Sequence, residues 1–228
     1  MGNRAFVSDR NMKLGVYLHW NGGRDSIEAF CEYCRIHEFE FGTGEMPLWV
    51  SHFSQVVMNM FGPGSTSVVV EPFEGSWTAG DDNGLYIIDN WRIVGRYRED
   101  WYNYKTGEHS EWPPYGEPDK DDWQLLMAPW DRGEQRTHDL NEFLHDLDRS
   151  QPEDMQLGDE YIDAPEVRPE SLGVGDEVAF IDGIYGKVKR YRVERIDEDG
   201  NPLVYDRDWV VAPYRRLDEQ AGLFRKMN

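Results

Sequence analysis

The 228 residues include only two cysteines, Cys31 and Cys34. With no second pair they cannot complete a four-ligand zinc site. They fall inside a predicted helix, whereas a redox Cys-x-x-Cys sits at a helix start. They read as buried free thiols of a reducing compartment. No apolar run approaches the roughly 20 residues that span a bilayer. MGNRAFVSDR lacks the apolar centre of a signal peptide, and Phe6 stands where a myristoylation signal needs Ser or Thr. The expectation is a cytoplasmic protein with no membrane partner. There is no Walker loop, no G-x-G-x-x-G and no H-E-x-x-H. His37, His52, His109, His138 and His145 show no paired metal spacing, and Asp81-Asp82-Asn83-Gly84 lacks the distal Glu of a calcium loop. No catalytic residue, metal or cofactor is expected.

Positive charge is also scarce. There are 24 Lys and Arg against 44 Asp and Glu, a net charge of −20. Residues 1–98 carry 12 acids and 8 bases, residues 99–170 carry 21 and 6, and residues 171–228 carry 11 and 10. The excess is therefore concentrated in the middle. Such a surface repels nucleic acid and membranes and attracts basic surfaces, which disfavours direct nucleic-acid binding. The alternative is a solvated acidic linker.

Aromatic residues are plentiful, with 9 Trp, 12 Tyr and 10 Phe, and support real cores. The most informative stretch is KLGVYLHWNGGRDSIEAF, Lys13–Phe30. Leu14, Val16, Leu18 and Trp20 alternate as in a strand. Asn21-Gly22-Gly23 breaks the run, and the glycines admit backbone angles closed to other residues. Asp25 or Ser26 caps a helix over Ser26–Glu38, with Glu28 at capping-box spacing from Asp25. A turn of this kind aims backbone N–H groups at one spot, so His19, Asn21, Gly22, Gly23, Arg24 and Asp25 form a possible anion or ligand site. An enzyme would use His19 as base and Arg24 as clamp; a plain structural turn needs neither.

Further on, Pro47 opens a helix over Leu48–Phe61 that stops at Gly62-Pro63-Gly64. Ser67–Glu71, Leu85–Asp89 and Trp91–Tyr97 read as strands, with Asp89-Asn90 at a tight turn. Asp139–Asp148 is a short amphipathic helix with Leu140, Phe143, Leu144 and Leu147 on one side. Ser150–Ser171, rich in proline and acids, reads as linker. Val174–Ile181, Gly186–Ile196, Leu203–Tyr205 and Trp209–Ala212 read as strands, with Asp199-Gly200 as a hairpin turn. The fold class is α+β: a helix-on-antiparallel-sheet domain over 1–110, an acidic segment with one short helix over 111–171, and a small β-barrel over 172–228.

Gly175-Asp176-Glu177-Val178, Gly186-Lys187-Val188 and Val193-Glu194 resemble the opening of SH3-like barrels of the KOW and Tudor sort. Lys187, Lys189, Arg190, Arg192 and Arg195 form a basic run there, with Tyr185 and Tyr191 placed to stack on bases or the whole run placed to dock on acids of the same chain. MGNRA at the start, GVYLHWNGGRDS and the later GLYIIDNW with IVGR resemble a family of uncharacterised proteins of bacteriophages and integrative elements, over residues 1–98. That resemblance implies a mobile-element context in a bacterial host and no particular activity.

Acids of the middle segment alternate with Trp101, Tyr102, Tyr104, Trp112, Tyr115, Trp123 and Trp130, a pattern suited to a folded surface that mimics DNA. The expected function is inhibition of a host nucleic-acid-targeting defence complex, anti-CRISPR or anti-restriction, by stoichiometric binding to its basic channel. The expected contact residues are Glu111, Glu117, Asp119, Asp121, Asp122, Asp131, Glu134, Glu142, Asp146 and Asp148. Two other readings remain open: a nucleic-acid- or protein-binding module of a mobile element, and an enzyme holding a nucleotide phosphate at the glycine turn.

Overall fold

The computed structural model describes residues 4–42, 44, 46–70, 83–97, 101–103, 108–110, 140–182, 187–205, 214–217 and 223–227. The chain is α+β and divides into two compact units. The first comprises Met1–Arg35 and Phe39–Phe143; the second comprises Ile36–Glu38 and Leu144–Asn228. No helix among the described residues is long and apolar enough to cross a membrane.

The first unit opens with β1 (Ala5–Ser8) and β2 (Leu14–Leu18), an antiparallel pair. The turn between them is held by Asp9, whose Oδ1 accepts the N–H groups of Asn11 at 3.0 Å and Met12 at 3.2 Å. Two helices follow, α1 (Arg24–Ile36) and α2 (Leu48–Phe61). Then come β3 (Thr66–Val70), β4 (Leu85–Asp89) and β5 (Arg92–Tyr97), and a separate short ladder of β6 (Trp101–Asn103) with β7 (Glu108–Ser110). The main sheet runs β3-β2-β1-β4-β5. It is mixed rather than purely antiparallel, because β4 returns parallel to β1. β1 has four residues and no alternation to announce it, so its pairing is set by the sheet and not by its own pattern.

Both helices bury the faces their spacing marks. Ile27, Phe30 and Cys34 of α1 and Trp49, Phe53, Val56 and Val57 of α2 are fully buried. Phe30 meets Phe53 edge to face, with ring centroids 5.8 Å apart. Val7, Val16, Leu18 and Tyr86 on the sheet are equally inaccessible. Burial lifts the Cys34 thiol well above its ordinary pKa and does the same to Cys31, so neither is a thiolate at neutral pH.

The second unit holds α3 (Leu140–Ser150) from Leu144 onward, a 3-10 turn at Glu153–Met155, α4 (Asp159–Asp163), β8 (Glu166–Val167) and a 3-10 turn at Pro169–Ser171. β9 (Glu177–Asp182), β10 (Lys187–Ile196), β11 (Pro202–Tyr205), β12 (Tyr214–Arg216) and β13 (Phe224–Met227) complete it. The strands form one antiparallel sheet in the order β12-β11-β10-β9-β13-β8, and among the described residues it is open. The expected strand Trp209–Ala212 lies outside the described residues. The hairpin turn falls at Asp199-Gly200 as its sequence requires. Gly200 has φ 88°, and Asp197 Oδ1 accepts N–H groups from Asp199 and Asn201.

The stretch Ser150–Ser171 is structured rather than a linker. Leu157, Tyr161 and Ile162 are buried, and β8 pairs with β13. Val167 packs, partly buried, against the unit's core, a placement that composition does not reveal.

Candidate functional site

The glycine turn is built around close approach. A Cβ on Gly22 would lie 2.5 Å from the Ala5 Cβ and 2.6 Å from both the Ala5 N and the Arg4 carbonyl carbon. Backbone of β1 cannot retreat from such a contact without breaking the sheet. The positive φ of the turn, 56°, belongs to Asn21, a residue that tolerates it. Gly22→Ala is therefore expected to lower the stability of the first unit by on the order of 2 kcal/mol or more, read from chemical denaturation. Asn21→Gly is expected to be nearly neutral; a Gly22→Ala protein as stable as the parent would show that β1 does not press on the turn.

The helix cap also differs from its sequence pattern. α1 begins at Arg24, so the cap position is Gly23, whose carbonyl accepts the Ile27 N–H at 3.0 Å. Asp25 stands in the first turn, where its charge suits the helix dipole, and its Oδ1 accepts the Ser26 N–H at 2.9 Å. Glu28 takes the Arg24 Nε at 2.9 Å, an i,i+4 pair. The arginine expected to clamp an anion is thus bound along its own helix.

His19 is held in another way. Its N–H donates to the Ser65 carbonyl, its Nε2 lies 3.0 Å from Ser67 Oγ on β3, and its ring sits edge to face with Tyr17, centroids 4.7 Å apart. Trp20 follows, 54% exposed. A Ser–His pair has the first contact of a nucleophile and its base, but among the described residues no acid pairs with the ring to orient it. As it stands the contact is a cross-strand hydrogen bond.

Of the expected contact residues, Glu111, Glu117, Asp119, Asp121, Asp122, Asp131 and Glu134 lie outside the described residues. Glu142 and Asp146 are exposed, one helical turn apart on α3. Asp148 is not available to a partner. It is 2% exposed, and its carboxylate accepts the N–H groups of Leu157 at 2.8 Å and Gly158 at 2.9 Å. It closes the loop after α3 because an acid at that position of the helix faces the returning chain, which helical spacing alone could not show.

The second unit instead exposes acids that pattern reading assigned to a linker: Glu153, Asp154, Asp159, Glu160, Asp163, Glu166 and Glu170. Some are paired with arginines: Asp159 with Arg149 at 2.9 Å and Glu160 with Arg190 at 2.6 Å. Asp163 Oδ1 lies 2.9 Å from His145 Nε2. No ion pair engages Glu153, Asp154 or Glu170 among the described residues. Within the basic run of β10, Arg190 meets Glu160, and Tyr191 stacks on Phe180 at 5.1 Å beside the core. Tyr185 lies outside the described residues.

Behind these acids, His37 is buried beside Asp148 and the Met155 backbone. Burial lowers its pKa from 6.5 to about 4, and the weaker pulls of Asp148 and Met155 do not restore it. The folded state thus binds fewer protons than the unfolded chain between those values. Its stability is full above about pH 6.5 and falls as the pH drops toward 4, by on the order of 3 kcal/mol. His37→Gln is expected to flatten this slope in urea unfolding followed across pH; an unchanged slope would assign the acid sensitivity to other groups.

No family model matches the chain, and no curated protein or solved structure matches it.

Proposed function

We propose that this protein is an accessory protein of a phage or mobile element. In the cytoplasm of a bacterial host, it binds the basic nucleic-acid channel of a defence complex, of the CRISPR or restriction kind, and inhibits it stoichiometrically. The observation that carries this reading is the ordered acidic surface of the second unit. Glu153, Asp154 and Glu170 stand on two 3-10 turns whose neighbours are packed, so their carboxylates are presented without a further ordering cost. The net charge of −20 favours encounter with a basic surface, and the resemblance of residues 1–98 to mobile-element proteins supplies the setting. The engagement of Arg190 and Tyr191 within the unit favours a protein target over direct nucleic-acid binding. The long β10, which pairs with β9 along one part and β11 along another across a bulge, supports an SH3-like reading of the sheet.

The test is capture from host lysate on the immobilised full chain. A nuclease or CRISPR effector should be recovered, released by competing DNA and by salt. Reversing Glu153, Asp154 and Glu170 to Lys should abolish recovery with the circular dichroism unchanged. Recovery that survives both the reversal and high salt would remove this surface from the function.

A further inference from the structure

Among the described residues β3 is an outer strand of the five-stranded sheet, and its residues are TSVVV. Val68 is 57% exposed and Val70 65% exposed, on the same side of the strand as Thr66. Edge strands are ordinarily blunted by a lysine, a proline, a bulge or an inward charge. None of these occurs in Thr66–Val70, and β3 pairs with β2 in unbroken register from Val70 to Thr66. We infer that β3 joins the β3 of a second copy of this chain, antiparallel about a two-fold axis through Val68.

The choice of a second copy rests on the strand's own symmetry and on charge. Antiparallel pairing with Val68 opposite Val68 sets Thr66 opposite Val70 and Ser67 opposite Val69. Every exposed side chain on the valine side then meets a β-branched partner, the favoured cross-strand pairing. A chain of net charge −20 repels its copy over most approaches, so contact is confined to a surface without charge, and Ser65–Val70 has none. The contact is isologous and closes at two, because each copy uses its single β3 edge. Joining two five-residue strands buries well under the roughly 1,200 Å² at which stable complexes begin, so the dimer is weak and reversible.

Sedimentation velocity of the full chain tests this. The weight-average mass should rise from 26.7 kDa toward twice that value as concentration increases. The rise should grow stronger when salt goes from about 0.05 M to about 0.5 M, because screening removes the repulsion between the two acidic chains. Binding through the acidic surface weakens under the same change, so the two interfaces are told apart. Val68→Lys should abolish the rise; should that variant misfold, Val70→Glu serves in its place. A chain that stays monomeric at the highest concentration, a dimer that persists in the folded edge variant, or assembly beyond two copies overturns the inference. A foreign extended peptide as the true occupant would appear as the first of these.

Discussion

Arg225→Met is expected to destabilise the second unit by about 3–5 kcal/mol, a loss typical of breaking a buried charged network on one side. Arg225 lies on β13 and is 5% exposed. Its Nη1 donates to the carbonyls of Ile162 and Ala164, both at 2.7 Å, and its Nη2 lies 3.4 Å from Glu166 Oε1. The guanidinium also stands 5.2 Å from the centre of the Tyr161 ring. The arginine thus joins the C-terminal strand to α4 and the chain just after it. Methionine keeps much of the volume but leaves two carbonyls without their donor, each a cost of about 1–3 kcal/mol. Glu166 is half exposed and is rehydrated at little cost. Nε is buried without a partner, so the arginine is not fully satisfied, and part of its own desolvation is recovered on removal. Arg225→Lys should recover only part of the loss, since one ammonium does not reproduce the planar fork. Hydrogen exchange of the β13 and α4 amides reads the effect directly. Protection in Arg225→Met equal to the parent's would mean that apolar packing alone holds the strand.

Trp91→Ala is expected to cost the first unit on the order of 4 kcal/mol, as for other buried tryptophans. Trp91 and Asn90 form the two-residue turn between β4 and β5, with φ 61° and 46°. Both values are positive, as a type I′ hairpin demands. A tryptophan in that conformation is unusual and is sustained by its contacts. The ring is 6% exposed and edge to face with Phe41 at 5.1 Å, and its Nε1 donates to the Phe39 carbonyl at 2.6 Å. Loss of the ring empties this site and leaves the turn strained. Trp91→Gly should be less damaging than Trp91→Ala by about 1 kcal/mol, because glycine adopts positive φ without penalty. Denaturant midpoints rank the two variants. The reverse order, or a loss below about 1 kcal/mol in Trp91→Ala, would show that the turn is set by Asn90 alone.

The Trp91 turn shows why some of the fold was legible and some was not. Asp89-Asn90 marks a tight turn by composition, but the placement of Trp91 within it depends on Phe39 and Phe41, some 50 residues earlier. The glycine pair was read as the seat of positive φ, yet Asn21 holds that angle and Gly22 is required by β1. By composition Asp148 belongs to an interaction surface, and Asp159, Glu160 and Asp163 belong to a linker. The burial of Asp148, the ion pairs of Asp159 with Arg149 and of Glu160 with Arg190, and the contact of Asp163 with His145 follow from packing that no local window contains.

The sequence by itself determined the helices α1, α2 and α3, the strands β2, β3 and β4, the hairpin at Asp199-Gly200 and the acidic excess. Each of these rests on periodicity, turn chemistry or composition within a dozen residues or so. Only the tertiary structure decided that β4 returns parallel to β1, that the second unit takes Ile36–Glu38, and that Ser150–Ser171 is folded. The physical reason is range. Glu38 accepts the N–H of Leu223, and Arg225 binds carbonyls more than 60 residues away, so these choices depend on which distant groups bury one another.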